Sequence, residues 1–480
     1  MTAAIAPRPA GWRPRSSLGT AFILALLVAS DPASAQGPQP PASQPPASQP
    51  QASRPPAGAK DSVATLQQRA ALGDADSEYR LGLIYHAGDG VARDDAEALR
   101  WHQKAADQGY VPAWKAIGEA YAQGFGVTKD EAQAVQWFRK AADKGDAEAQ
   151  MTMGFAYTHG WGVKQDDAAG ASWYRKAADQ GLAGAQCNLG VAYARGRGVP
   201  QSYEEANKWF RLAADQGYAE GETNLGYAYL NGRGTKQDLA AAATWLRKAA
   251  EQGVAPVQYT LGAMYAAGQG VPQDDAQAVG WWRKAADQGD VEAQSNLGAM
   301  YDMGRGVAQD PAQAAAWWHK AADQGDAKSQ NNLGALYQEG RGVPKDDTLA
   351  LEWFKKAADQ GHVRAETNLG VIYSTGRGVP KNEAEAVKWF AKAADQGYAK
   401  AQYMLAGAYE SGKGVASDPV EAHKWYYLAT VLGADDVKTA AAKDGDQLGR
   451  KMSAEQMAES VKRAGSWLQD FQKRVKQEAR

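Results

Sequence analysis

The side chains of this chain that could most readily hold a metal ion or act in nucleophilic catalysis are six histidines and one cysteine. The histidines are His86, His102, His159, His319, His362 and His423. No H-x-x-x-H or H-E-x-x-H pair occurs, and such spacings place two ligands on one helix face. The single cysteine, Cys187, has no obvious base in the sequence. We therefore predict no catalytic residue, no metal site and no cofactor, and a protein that is not an enzyme.

Segments of the form Gly-x-Gly, such as residues 196–198, superficially resemble phosphate-binding loops. Dinucleotide-binding loops and P-loops need a preceding strand and further glycines or a Gly-Lys-Ser/Thr, which this chain lacks. Because the segment recurs ten times, turn geometry is the better interpretation. The formal net charge of −2 also provides no global field for nucleic acid, so we expect no nucleic-acid partner.

Asparagines recur at multiples of 36 residues and are candidate binding residues. They are Asn188, Asn224, Asn296, Asn332 and Asn368. An amide has a donor and an acceptor, so these side chains could hold a partner or could bond neighbouring repeats to each other. The sequence leaves both interpretations open.

Basic residues recur at the middle of the Gly-x-Gly segments and form a second candidate row. They include Arg197, Arg233, Arg305, Arg341 and Arg377. An anionic partner, such as an acidic glycan or protein tail, is one hypothesis for this row. A solvated or salt-bridged row is the alternative, because exposed ion pairs are common and weak.

These candidates all belong to one repeat of 36 residues. A glycine, or an alanine in the last copy, recurs at this interval from Gly82 to Ala406. A tyrosine follows three residues later in every copy, and a tryptophan follows 16 residues after that. No copy carries an insertion or deletion, so the chain contains ten repeats.

Each repeat predicts a pair of helices. In the fourth repeat, Ala185, Leu189 and Tyr193 form one apolar stripe on a first helix. The glycines at 196 and 198 break that helix, and a second helix follows with its own stripe, Ala206, Trp209 and Ala213. A residue with an N-cap side chain stands seven positions before every periodic tryptophan. These residues are Asp94, Asp130, Asp166, Ser202, Asp238, Asp274, Asp310, Asp346, Asn382 and Asp418.

Shorter segments flank the array and are expected to cover its two ends. Residues 62–72 resemble the second helix of a repeat. Residues 434–480 are predicted to form capping helices, with a capping box at Ser453 and Gln456. The expected buried stripe of the last helix is Met457, Val461, Ala464, Leu468 and Phe471.

The recurring pattern Ala-x-x-x-Leu-Gly-x-x-Tyr-x-x-Gly-x-Gly-Val, followed by Asp, Ala-x-x-Trp and Lys-Ala-Ala-Asp-Gln-Gly, resembles the Sel-like repeat family over residues 61–433. This family is related to the tetratricopeptide repeats. The resemblance implies an all-α fold, a right-handed α/α superhelical solenoid of ten helix-pair repeats with terminal capping helices. It also implies that the asparagine row lines the concave groove.

The resemblance further implies a non-enzymatic scaffold or adaptor in the bacterial cell envelope, with protein or peptide partners bound in the groove. One alternative is an envelope enzyme of the β-lactamase-like or glycan-processing type. The resemblance to a cysteine-rich branch of the family suggests that activity, but this chain has a single cysteine. Another alternative is a scaffold for anionic exopolysaccharide or peptidoglycan. We expect a monomer.

The amino-terminal segment predicts export. Three arginines precede the largely apolar run of residues 18–29, and a small-x-small site predicts cleavage after Ala35. The run is shorter than the roughly 20 residues that span a bilayer, so residues 1–35 are interpreted as a signal peptide and no membrane span is expected afterwards. Residues 36–60 are rich in Pro, Gln and Ser and predict a disordered linker. The expected location is the periplasm of a Gram-negative bacterium or the extracellular space.

Overall fold

The computed structural model describes residues 62–478, and within that range every regular element is an α-helix. The chain divides into two compact units, at Gln273 and Asp274. The first unit contains α1 (Val63–Ala71), α2 (Ala75–Ala87), α3 (Asp95–Asp107), α4 (Val111–Gln123), α5 (Glu131–Asp143), α6 (Ala147–His159), α7 (Asp167–Asp179), α8 (Ala183–Arg195), α9 (Tyr203–Asp215), α10 (Ala219–Asn231), α11 (Leu239–Glu251) and α12 (Ala255–Ala267).

The second unit contains α13 (Asp275–Asp287), α14 (Val291–Met303), α15 (Pro311–Asp323), α16 (Ala327–Glu339), α17 (Asp347–Asp359), α18 (Val363–Thr375), α19 (Glu383–Asp395), α20 (Ala399–Ser411), α21 (Pro419–Leu432), α22 (Asp435–Gly449) and α23 (Ala454–Glu478). Helices α2 to α21 are the ten predicted helix pairs, so the predicted all-α repeat fold is confirmed. None of the helices between residues 62 and 478 combines the length and apolar character needed to cross a membrane. The predicted signal peptide and linker lie outside the described residues.

The second helix of every repeat begins at the predicted N-cap. In α9, for example, the hydroxyl of Ser202 accepts a hydrogen bond from the Glu205 amide at 3.2 Å. Nine other caps make the equivalent bond with a carboxylate or amide oxygen. Each such cap stabilises its helix by about 1 kcal/mol. The caps therefore fix the start of every second helix.

The periodic glycine lets the two helices of a repeat approach each other. A Cβ atom on Gly190 would lie 2.6 Å from the ring of Phe210, and one on Gly334 would lie 2.7 Å from the ring of Phe354. Trp209 of the predicted second-helix stripe packs against the buried cluster that contains Leu189, but it is not the side chain that faces the glycine. Phe210 is buried whereas Trp209 is only half-buried, because the residue after the tryptophan is the one that faces the glycine.

Two sets of side-chain hydrogen bonds join consecutive repeats. In one set, a buried glutamine of the first helix donates to an alanine carbonyl eight residues earlier, and its own oxygen accepts from a glutamine 30 residues later. Gln186 shows both contacts, to Ala178 at 3.3 Å and from Gln216 at 2.8 Å. In the other set, a basic side chain of the second helix reaches the next tyrosine, as Arg211 does to Tyr229 at 2.6 Å. Each repeat is therefore fixed to its neighbour by polar as well as apolar contacts.

The C-terminal helices cover the last repeat. The predicted capping box is present, since the Ser453 amide donates to Gln456 Oε1 at 2.9 Å and the Gln456 amide donates to Ser453 Oγ at 3.2 Å. The predicted stripe is wrong at Val461, which is 46% exposed. Ser460 is buried in its place and makes a 2.9 Å hydrogen bond with His423 of α21. The facing side chain of α21 is polar, so a hydroxyl fits where an apolar residue was expected.

Candidate functional site

The asparagine row lies on the first helices, and all five side chains are half-buried. Asn224 Nδ2 lies 3.5 Å from Cys187 Sγ, and Asn368 Nδ2 donates to Asn331 Oδ1 at 3.1 Å. Asn332 Oδ1 accepts a bond of 3.4 Å from the neighbouring Asn331. Asn188 and Asn296 make no hydrogen bond with any described residue. Some asparagines of this row thus bond to neighbouring helices, whereas others, within the described residues, are left free for a partner. The role of the row in binding stays a prediction.

Cys187 is buried beside this row. Its side chain is 4% exposed, and burial raises the pKa of the thiol to about 12. A neutral, inaccessible thiol is a poor nucleophile. The residue is thus a small core side chain rather than a reactive group.

The arginine row is largely paired inside the protein. Arg197 Nη2 lies 3.1 Å from Asp167 Oδ1, and Arg305 makes the equivalent contact with Asp275 at 2.9 Å. In both cases the acid is the first residue of the second helix in the preceding repeat.

Two further arginines of this row contact an acid or an aromatic ring, whereas the fifth arginine has no ion pair with a described residue. Arg341 pairs with Asp302 at 3.0 Å, and the guanidinium of Arg233 lies 5.9 Å from the centre of the Tyr203 ring. Arg377 is exposed and has no ion pair among residues 62–478. These contacts favour the salt-bridged interpretation of the row over an open anion-binding edge.

The Gly-x-Gly segments have a structural explanation. Gly196 and Gly198 have φ values of 69° and 73°, in the left-handed region that glycine tolerates best. A Cβ atom on Gly198 would collide with the carbonyl of Asp167 in the preceding repeat. The glycines are therefore needed for a turn that lies directly against a neighbouring helix.

The histidines make isolated pairs. His86 Nδ1 lies 2.6 Å from Asp95 Oδ1, and His319 bonds to Tyr337 at 3.0 Å. The buried Ser460 donates its hydroxyl hydrogen to the Met457 carbonyl, so it accepts from His423 instead of being activated by it. No group of three or more His, Cys, Asp or Glu side chains suited to a metal ion occurs in the part of the chain that the structure describes.

A row of mostly charged residues was missed by the sequence analysis. It occupies the second position of each first helix, four residues before the asparagine position. In the second unit this position holds Glu292 on α14 and then Lys328, Arg364 and Lys400, and all four are exposed. The first unit has acids there, such as Glu148 and Glu220. Comparing the same surface position across repeats would have revealed this change of sign.

Ten segments of the chain match the model of the Sel1 repeat. They are residues 75–110, 116–146, 147–182, 183–218, 219–254, 255–290, 291–326, 327–362, 363–398 and 399–430. The chain belongs to the Sel1 repeat family. Sel1 repeats generally mediate protein–protein interactions and are typically non-catalytic. The resemblance that the sequence pattern indicated is thereby confirmed.

Solved structures of Sel1 repeat proteins show the same fold. A protective antigen present in uropathogenic Escherichia coli strains, which displays an SLR fold, is 34% identical to this chain with a TM-score of 0.64. The match covers 85% of this chain and 95% of the antigen. A Sel1 repeat protein from Oxalobacter formigenes is 35% identical with a TM-score of 0.51, and the match covers 65% of this chain and 90% of that protein. No curated protein matches the chain.

Proposed function

We propose that this Sel1 repeat protein is a non-enzymatic scaffold of the bacterial cell envelope that binds protein or peptide partners on the surface that the first helices form within each unit. The unpaired amides of Asn188 and Asn296 carry this proposal. A half-buried amide without a protein partner retains a donor and an acceptor for a ligand. A peptide backbone offers the complementary groups at every residue.

The other polar rows support the same assignment, because they are already used to join repeats. The buried glutamines, the Arg211-type side chains and most arginines of the Gly-x-Gly row bond to neighbouring repeats. The first-helix surface carries the amides of Asn188 and Asn296, which bond to no other described residue. It also carries exposed charges whose sign varies from repeat to repeat.

The envelope location rests on the amino-terminal sequence. The arginines, the short apolar run and the site after Ala35 form the order of a secretory signal. The similar protein from uropathogenic Escherichia coli is a protective antigen, which agrees with exposure outside the cytoplasm. Amino-terminal sequencing of the protein purified from its own cells tests export. The expected first residue is Gln36, and an intact Met1 in the cytoplasmic fraction refutes this part of the proposal.

Cross-linked capture from the envelope fraction tests the scaffold role. The double variant Asn188→Arg and Asn296→Arg places bulky cations in the row without breaking a hydrogen bond. The matched control, Ser172→Arg and Gln313→Arg, adds the same charge at exposed positions of second helices. We expect specific proteins to be captured by the wild type and the control but not by the Asn variant. Recovery of the same partners by all three, with unchanged helicity, contradicts binding on the first-helix surface.

A further inference from the structure

Three exposed cations stand at the same register on first helices of the second unit. Lys328, Arg364 and Lys400 are the second residues of α16, α18 and α20. None of them forms an ion pair with another residue between 62 and 478. The row ends in an acid on either side, Glu292 on α14 and Asp436 on α22. The positive charge is therefore confined to three consecutive repeats.

Direct contacts place these first helices side by side. Ser329 Oγ of α16 donates to Ser295 Oγ of α14 at 3.0 Å. Asn368 of α18 donates to Asn331 of α16 at 3.1 Å. Val371 of α18 packs against the cluster that contains Leu405 of α20. Because the helices share one register, the three cations follow a line across them.

Amides and small side chains lie beside the cations. Asn332 and Asn368 follow Lys328 and Arg364 by four residues, which keeps them on the same helix face. Asn368 uses only its Nδ2 group, and Asn332 only its Oδ1 atom, in bonds to described residues. Three residues after each of these asparagines stands a small side chain, Ala335 on α16 and Val371 on α18. An extended chain could approach this surface closely and still find hydrogen-bonding groups.

We propose that this cationic strip, formed by Lys328, Arg364 and Lys400 with Asn332 and Asn368, binds an extended segment of an acidic protein. Packed helices lie about 8–10 Å apart, and a chain extended in the polyproline II conformation advances about 3.1 Å per residue with three residues per turn, so every third side chain lies on one face. One repeat therefore corresponds to three residues of the ligand. The fitting sequence has a carboxylate at every third position, so that one acid meets one cation in each repeat.

A peptide fits this strip better than an anionic glycan for two reasons. The amides offer both donors and acceptors, which match the N–H and C=O groups of a peptide backbone. On α16 and α18 the cation, asparagine and alanine or valine positions carry no aromatic ring on which a sugar could stack, and the half-buried Tyr403 of α20 is bonded to Asp444. This inference rests on the proposed scaffold function and adds the chemical class of the partner.

The test measures fluorescence anisotropy with a labelled twelve-residue peptide that has Asp at every third position between Gly and Ser. A second peptide of the same composition has its Asp residues contiguous. We expect the full chain to bind the spaced peptide about tenfold more tightly. The triple variant Lys328→Gln, Arg364→Gln and Lys400→Gln should lose about tenfold in affinity, as expected for three exposed charge pairs.

A matched triple variant controls for the loss of charge. Lys355→Gln, Arg450→Gln and Lys451→Gln remove the same charge from exposed sites in the same unit, and this variant should bind like the wild type. Equal affinity for both peptides, equal loss in both variants, tighter binding of an oligogalacturonate, or no peptide binding overturns the inference. If the strip variant fails to bind the peptide yet keeps its helicity, while the control binds normally, the strip is the binding site.

The envelope capture separates this inference from the proposed function. If the strip variant still captures every envelope partner and the Asn188 and Asn296 variant captures none, the scaffold role stands and the acidic-segment inference falls. If the wild-type chain captures no partner, the scaffold role falls on that result alone. Binding of the spaced peptide would then describe a surface without a demonstrated partner in the envelope, and both claims would be withdrawn.

Discussion

Replacing the buried Glu222 by glutamine should stabilise the protein. Glu222 is 3% exposed and occupies the position of the buried glutamines that join repeats. It accepts from Gln252 Nε2 at 2.8 Å, as Gln186 accepts from Gln216. An ionised carboxylate cannot make the second contact, in which the glutamine donates to an alanine carbonyl. The substitution restores that bond and removes a buried charge.

The expected gain is about 1–2 kcal/mol at pH 7, from one added hydrogen bond and the charge that no longer has to be desolvated. Burial raises the pKa of the Glu222 carboxyl above its ordinary value of 4.5. A raised pKa in the folded state means that the wild type loses stability as pH rises from the unfolded pKa through the folded one. The advantage of glutamine should therefore be full above the folded pKa, shrink as the pH falls from there to 4.5, and be smallest below pH 4.5, where the protonated acid can donate as well.

Amide hydrogen exchange in α9 and α10 is the appropriate assay, because repeat arrays open locally and need not unfold in two states. Glu220→Gln is the control, since it makes the same charge change at an exposed position of the same helix. In the ninth repeat the equivalent Glu366 lies 3.1 Å from Lys392 Nζ, and Lys392 donates to the Ala358 carbonyl. Glu366→Gln should thus give no gain. An equal effect of all three substitutions would refute the reasoning.

Three further predictions concern packing and charge. Burial lowers the pKa of the His102 imidazole from 6.5 to about 4, so the free energy of unfolding is highest above pH 6.5 and falls by up to about 3 kcal/mol as the pH decreases to 4. His102→Phe should abolish this loss, and hydrogen exchange of α2 and α3 measured over the same pH range checks it. Arg211→Ala should break the Tyr229 contact and raise the local opening of α9 and α10 in hydrogen exchange, at a cost of about 1–2 kcal/mol in local stability, whereas unchanged exchange would show that the contact is not stabilising. Gly190→Ala should lower the melting temperature by crowding Phe210, at a cost of about 1–3 kcal/mol, while Gly280→Ala, with open space around it, should raise it.

The helices could be predicted because each repeat contains its own helix start and stop signals. The N-cap at Ser202 and the glycines at 196 and 198 act on neighbouring residues, so their effect can be read from local spacing alone. Contacts between helices that are distant in sequence were harder to predict. The glutamine bonds depend on a donor 30 residues away, and the choice of Phe210 over Trp209 for the inner face depends on the angle at which two helices meet.

The candidate binding residues were found only in part from the sequence, for a similar reason. The asparagines were found because they recur, whereas the cations were missed because their position does not hold one residue type. That position reads Asp76, Pro112, Glu148, Gly184, Glu220, Pro256, Glu292, Lys328, Arg364 and Lys400. Residues that recur in every repeat are those that the fold requires. A search for recurring residues therefore overlooks positions whose residue type differs from repeat to repeat.

This contrast indicates where specificity resides in the chain. A buried residue such as Gln186 must make the same contacts in each copy, so its position is restricted to side chains that can make them or that tolerate the loss. An exposed residue on a first helix contributes little to stability, so it is free to vary. Within the second unit that position changes from Glu292 to Lys328 in one repeat while the caps and turn glycines around it stay the same. The fold can therefore keep its framework while the charge of its first-helix surface is set repeat by repeat, and a partner that follows the chain at three residues per repeat would be selected by that order of charges.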